Sequence, residues 1–97
     1  MAFELIFLDR AQNDLRELFD YLVSVSPRAA GDYIDGLEKV CEKLRIFPNS
    51  GRQYDSKYRL LVYRNHLIFY RVSDASSSVH IVAIIDGRRD PSTFFQP

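Results

Sequence analysis

Arginine stands among apolar residues at Arg59 and Arg71 and recurs as the pair Arg88-Arg89, while two histidines, His66 and His80, and one cysteine, Cys41, lie apart from one another. A guanidinium is a planar fork of N–H donors that matches a carboxylate or a phosphate, so these arginines suit recognition of an acidic partner. Proton-transfer catalysis needs a base within reach of the group it serves. No usual catalytic pair accompanies the arginines, and no histidine has a second ligand at metal spacing. We therefore assign no catalytic residue, no metal and no cofactor, and read His66 and His80 as structural or surface residues.

Strands must carry these arginines. Tyr58-Arg59-Leu60-Leu61-Val62 and Leu67-Ile68-Phe69-Tyr70-Arg71-Val72 read as a hairpin with strands at about 57–63 and 67–73, joined by Arg64-Asn65-His66. After Ser73 to Ser78 comes a third strand, 79–85, apolar on both phases apart from His80 and so central or covered on both faces. Short links make these three neighbours antiparallel.

Upstream, residues 3–8 read as an initial strand broken only by Glu4. The period then lengthens. Ala11, Leu15, Leu18, Tyr21, Leu22 and Val25 recur every three or four residues, which predicts an amphipathic helix from Asp9 to about Val25, capped by Asp9 or the residue before it. Ser26-Pro27 supplies a cap and a proline at the first position of a second helix. Its apolar set, Ala30, Tyr33, Ile34, Leu37, Val40, Cys41 and Leu44, continues to Phe47 before Pro48 stops it. So short a link lays the two helices side by side and antiparallel. Gly36 costs the second helix about 1 kcal/mol relative to alanine and is expected to mark a close helix crossing. Cys41 reads as core, and Tyr21, Tyr33 and Tyr70 as packing. Pro48-Asn49-Ser50-Gly51 opens the longest loop, polar to Lys57, and Asp86 to Pro97 reads as irregular.

This order predicts an α+β fold, β-α-α-β-β-β, with a helical hairpin on one face of a small, mostly antiparallel four-stranded sheet. Alternation separates Leu60, Val62, Ile68, Tyr70 and Val72, expected to meet the helices, from Arg59, Leu61, Tyr63, Leu67, Phe69 and Arg71, expected on the open face. Those six would leave an apolar, positively charged patch of the kind that marks an interface.

Ninety-seven residues, 46% hydrophobic and 13% aromatic, suit a single domain over 1–97 and are too apolar for disorder. With one cysteine, no signal-like opening and no run near eighteen apolar residues, the expectation is a cytoplasmic chain without a membrane span. Net charge is zero, yet residues 1–47 hold 6 Lys/Arg against 9 Asp/Glu and residues 48–97 hold 7 against 4. The basic side lies with the later strands.

Taken in order, Ala11-x-x-Asp14-Leu15-x-x-Leu18-x-x-Tyr21, Ala29-Ala30, Pro48-x-x-Gly51, Tyr58-Arg59, Ile68-x-Tyr70-x-Val72 and Ile84-x-x-x-Arg88 resemble the RelE/ParE superfamily of toxin–antitoxin toxins over nearly the whole chain. The resemblance implies one of two activities: ribosome-dependent messenger cleavage, as in RelE-like members, or inhibition of DNA gyrase, as in ParE-like ones. Of the nuclease positions, Arg59 and Arg89 (or Arg88) are kept, but two phosphate-binding charges fall on Leu61 and Leu67, and the terminal tyrosine falls on Phe95 or Phe94. A phenyl ring neither donates nor accepts a proton. An isoelectric point of about 6.7 also disfavours residence on ribosomal RNA, where cations must displace counterions.

The resemblance therefore implies a ParE-like toxin neutralised by a ParD-like antitoxin. Arg59, Leu61, Tyr63, Leu67, Phe69 and Arg71 are the expected antitoxin-binding residues, and Arg88 and Arg89 the toxicity determinants. No sequence-specific DNA binding by this chain alone is expected. The alternatives are a degenerate RelE-like ribonuclease using Arg59 and Arg89, and a non-toxic homologue that only binds antitoxin.

Overall fold

β1 (Glu4–Phe7) leads into α1 (Asp9–Val25), α2 (Pro27–Glu42) and a 3-10 turn, Lys43–Arg45; then come β2 (Arg52–Gln53), β3 (Arg59–Tyr63), β4 (His66–Ser73) and β5 (Ser78–Asp86). The computed structural model describes residues 2–91. Its strands form one sheet in the order β1-β5-β4-β3-β2, antiparallel except where β1 runs parallel to β5. The α+β plan and the helical hairpin are as the sequence predicts. The sheet has five strands rather than four because β2, two residues long, pairs with β3 inside the polar loop.

Ser26 closes one helix and opens the next: its N–H bonds the Leu22 carbonyl at 2.8 Å, and its Oγ accepts the Ala29 N–H at 3.3 Å. Pro27 follows at the first helical position, where no N–H is needed. The expected Asp9 cap is not formed. Leu8 holds the N-cap position without a side-chain bond, and Asp9 sits in the first turn, where its charge favours the positive end of α1.

α1 reaches the sheet through Ala11, which has no exposed surface, and through Asp14. β1 pairs with β5 only as far as Phe7 opposite Ile81; beyond that point the Asp14 carboxylate accepts the Ile84 N–H at 2.9 Å. A backbone donor that the sheet would leave unpaired is thus satisfied from the helix. This gives the spacing Ala11-x-x-Asp14 a structural reason.

Between the helices and the sheet lie Ala11, Leu37, Cys41, Leu44, Ile68, Tyr70, Val79, Ile81 and Ile84, with Leu61, Tyr63 and Val72 packed against them. On the other face Leu60, Phe69, Ala83 and Ile85 form a second cluster with Tyr54, Leu67 and Val82. β5 is therefore buried on both phases, as its unbroken apolar run predicts.

β3 departs from expectation. Arg64-Asn65 alone makes the hairpin turn, placing Tyr63 opposite His66 and Leu61 opposite Ile68. A three-residue link would have set Val62 opposite Ile68, and that single-residue difference inverts every side chain of β3. Leu61 and Tyr63 accordingly face the helices, while Leu60 and Val62 take the open face.

The loop after α2 is tied down by Tyr70, whose hydroxyl donates to the Pro48 carbonyl and accepts the Gly51 N–H, both at 2.9 Å. A Cβ on Gly51 would stand 2.7 Å from that hydroxyl and 2.8 Å from the Leu60 carbonyl, so glycine is required for space. Arg59 completes the tie, its Nη1 donating to the Asn49 and Gly51 carbonyls at 3.2 and 2.8 Å.

Candidate functional site

Where the Arg64-Asn65 turn meets the end of β5 and the flank of α1, a cleft of about 1050 Å³ opens. Leu18 and Leu22 of α1, Leu67 of β4 and Ile84 and Ile85 of β5 give it an apolar lining; Arg10, Asp14, Tyr33, Arg64, His66, Asp86, Arg88 and Arg89 add polar groups. Both helices, the hairpin turn and strands β4 and β5 must pack correctly before these side chains share one space.

The turn itself is under strain. Arg64 has φ of 50°, a left-handed conformation that favours glycine or asparagine and costs other residues about 1–2 kcal/mol. Its guanidinium lies over the rings of Tyr33 and Tyr63 at 5.6 and 5.5 Å, and the Gly87 N–H bonds the Asn65 carbonyl at 2.7 Å, so cation–π contacts and a cross-strand bond hold the turn in place. Tyr63 in turn needs Gly36: a Cβ there would collide with the Tyr63 hydroxyl. Gly36 thus marks the seat of a tyrosine ring, not the helix crossing expected for it.

Inside the cleft, the Tyr33 hydroxyl and His66 Nδ1 are 2.7 Å apart. Burial raises the Tyr33 pKa and lowers that of His66, so both stay neutral at pH 7. The two neutral groups share a single hydrogen bond, one ring nitrogen facing the hydroxyl. His66, expected to be structural or at the surface, therefore lines the cleft with a partner from α2. Its distance from Tyr33 in the chain left no local signal of the pairing.

Most of the cleft's charge is already engaged. Arg10 lies 3.5 Å from Asp14. Arg88 grips Asp86 through Nε at 3.0 Å and Nη2 at 2.8 Å, and the Asp86 carboxyl, which also accepts the Arg88 backbone N–H, is held far below the usual carboxylate range. Among the described residues, Arg64 and Arg89 are the cleft's cations without an ion pair.

The six expected antitoxin-binding residues do not share one face. Leu61 and Tyr63 pack on the helix side, and Arg59 holds the loop. Phe69, Leu67 and Arg71 lie on the open side, but Phe69 has no exposed surface and is covered edge-on by Tyr54 at 5.0 Å. Val62, expected beneath the helices, is 56% exposed. Arg88 and Arg89 stand on the cleft rim, and Phe94 and Phe95 lie outside the described residues. His80 stands opposite Arg71, its Nδ1 buried without a partner among the described residues. Also among the described residues, no group of three or more His, Cys, Asp or Glu could hold a metal ion, and no helix is long and apolar enough to cross a membrane.

Residues 5–91 match the family described as ParE toxin of type II toxin-antitoxin system, parDE. The fold is similar to a chain of the chromosomal ParDE system from P. aeruginosa, with a TM-score of 0.74 and 20% identity over 88% of this chain and 96% of that one. A chain of the RelBE2 toxin–antitoxin complex from Mycobacterium tuberculosis gives 0.63 and 19% over 89% and 99%. An arginine-substituted RelE toxin from E. coli, in its free state, gives 0.66 and 18% over 89% and 84%. At these identities the likeness is one of fold. No curated protein matches the chain by sequence.

Proposed function

The chain belongs to the family of ParE toxins of type II parDE toxin–antitoxin systems, and we propose that it works by gripping a macromolecule: DNA gyrase in the cytoplasm when free, and a ParD-like antitoxin when neutralised. The observation that carries this reading is the pair Arg64 and Arg89, which hold no ion pair among the described residues and stand at two places on one apolar-floored cleft. An acidic segment of the target gives its carboxylates to these arginines and its apolar residues to the floor.

The antitoxin takes the open face. Of the residues expected to bind it, Leu67 and Arg71 keep some exposure there, joined by Val62, while Arg59, Leu61, Tyr63 and Phe69 support the surface from within. An extended antitoxin segment would add beside β3, since β2 pairs only with Arg59 and Leu60. The outer edge of β1 is less suited to this, because Arg45 takes the Phe3 N–H and carbonyl and Gln12 takes the Phe7 carbonyl. Leu67 belongs both to the open-face cluster and to the cleft, so an antitoxin lying over it also reaches the target surface.

Loss of the expected nuclease positions agrees with a non-enzymatic action: Leu61 and Leu67 are apolar, and Arg59 spends its Nη1 on the loop. One observation favours the ribonuclease alternative, the neutral Tyr33–His66 pair inside the cleft. The two readings separate in parallel assays. Purified protein should inhibit gyrase supercoiling, with relief by antitoxin, and leave ribosome-bound messages intact; unchanged supercoiling together with cut messages would reverse the proposal.

A further inference from the structure

β5 ends inside the cleft on Asp86, which stands directly opposite His66 across the β4–β5 pair. There the chain turns back on itself: the Arg89 N–H bonds the Asp86 carbonyl at 3.1 Å, and the Arg88 N–H bonds the Asp86 carboxylate at 2.9 Å. The turn brings the Arg88 guanidinium onto the same carboxylate, Nε to one oxygen at 3.0 Å and Nη2 to the other at 2.8 Å. Two N–H groups on two oxygens is the geometry in which arginine recognises a carboxylate of another molecule. Here the contact is made within the chain, on a rim where the Arg88 side chain is 91% exposed and that of Asp86 32%.

We propose that Asp86 holds the place of a carboxylate belonging to the target, and that Arg88 releases it on binding to become a third arm beside Arg64 and Arg89. The proposal rests on the cleft taking an acidic segment, and adds where the acid lands and what leaves first. An ion pair this exposed contributes little, because water competes for both partners. It keeps the guanidinium in position without holding it fast. A target carboxylate flanked by apolar residues gains more than the fork: its neighbours cover the floor of Leu67, Ile84 and Ile85 and take water away from the new pair, which strengthens it. Asp86 keeps the Arg88 backbone N–H as its partner. The lining also selects the class of ligand. Asp14 and Glu17 put carboxylates on the α1 bank, which oppose a nucleic-acid strand charged at every phosphate, whereas a peptide with one acid between apolar residues avoids them.

Four full-length proteins test this: the wild type, Asp86→Asn, Arg88→Ala and the double variant, compared for the concentration that half-inhibits supercoiling by purified gyrase and for growth arrest at graded induction. Asp86→Asn keeps an oxygen for the Arg88 N–H and drops the charge, so thermal unfolding should show the fold retained while inhibition sets in at a concentration roughly threefold to fivefold lower. Asp86→Ser, which also keeps an acceptor without the charge, should act in the same direction. Arg88→Ala should weaken inhibition roughly tenfold or more, and in that background Asp86→Asn should gain little, because its gain acts through Arg88. Neutral variants at Asp86 no stronger than the wild type, or equally helpful without Arg88, would overturn the proposal. Gyrase untouched by all four, with growth arrest still ranked Asp86→Asn above wild type above Arg88→Ala, would remove gyrase as the target and support the three-armed grip. Growth arrest indifferent to both positions would remove the grip as well.

Discussion

Tyr70 joins the buried centre of β4 to the Pro48–Gly51 loop through a single hydroxyl. Tyr70→Phe leaves the Gly51 N–H and the Pro48 carbonyl without that partner, at a cost of about 1–3 kcal/mol. For a domain of this size each kcal/mol lowers the melting temperature by about 4–8 °C, a shift that calorimetry resolves. His66 brings a pH dependence of a definite sign. Unfolded, it takes up its proton near pH 6.5; folded, only further down, because burial disfavours the charged ring. The unfolded chain therefore binds more protons in that window, and stability should fall as pH drops below about 6.5 until the folded ring is protonated as well. His66→Gln keeps a hydrogen-bonding side chain without the titration, so its melting temperature should vary less over that range. Cys41, fully buried and with its thiol pushed up to about 12, should resist thiol reagents until the chain unfolds.

Between α2 and β3, packing overrides helix propensity. Replacing Gly36 with alanine should gain about 1 kcal/mol on propensity alone, yet the Tyr63 hydroxyl occupies the place of the new Cβ. Gly36→Ala should therefore destabilise the protein in urea titration, and Tyr63→Leu in the same background should recover much of the loss; additive effects would show that the two positions do not touch. The same region separates what could be read in the chain from what could not. Both helices were legible because their signals are local: a three-to-four residue apolar period, and Ser26-Pro27 between them. The facing of β3 was not, since it depends on whether the turn holds two residues or three, and the two-residue turn requires Arg64 to accept a left-handed conformation that its type does not advertise. β2 escaped notice because two residues in a polar loop carry no period. At the cleft, Arg88 and Arg89 were expected from the family resemblance, whereas Arg64, Tyr33 and His66 meet only through tertiary packing.

At the scale of the molecule, the fold keeps most of its buried and half-buried charge satisfied within the chain and leaves Arg64 and Arg89 without an ion pair among the described residues around one apolar-floored cleft. Arg64→Ala with Arg89→Ala should relieve growth arrest on induction; neither guanidinium holds an ion pair among the described residues, but Arg64 also lies over the Tyr33 and Tyr63 rings, so thermal unfolding of the variant must show that loss of toxicity is not loss of fold. Tyr33→Phe removes the hydroxyl that faces His66 Nδ1, and toxicity should survive it if the chain grips rather than cuts. The most direct measurement is supercoiling by purified gyrase in the presence of the wild type, the double-arginine variant and Tyr33→Phe. Inhibition by the wild type and by Tyr33→Phe, lost in the double-arginine variant, is the expected result; full supercoiling with all three would contradict the account.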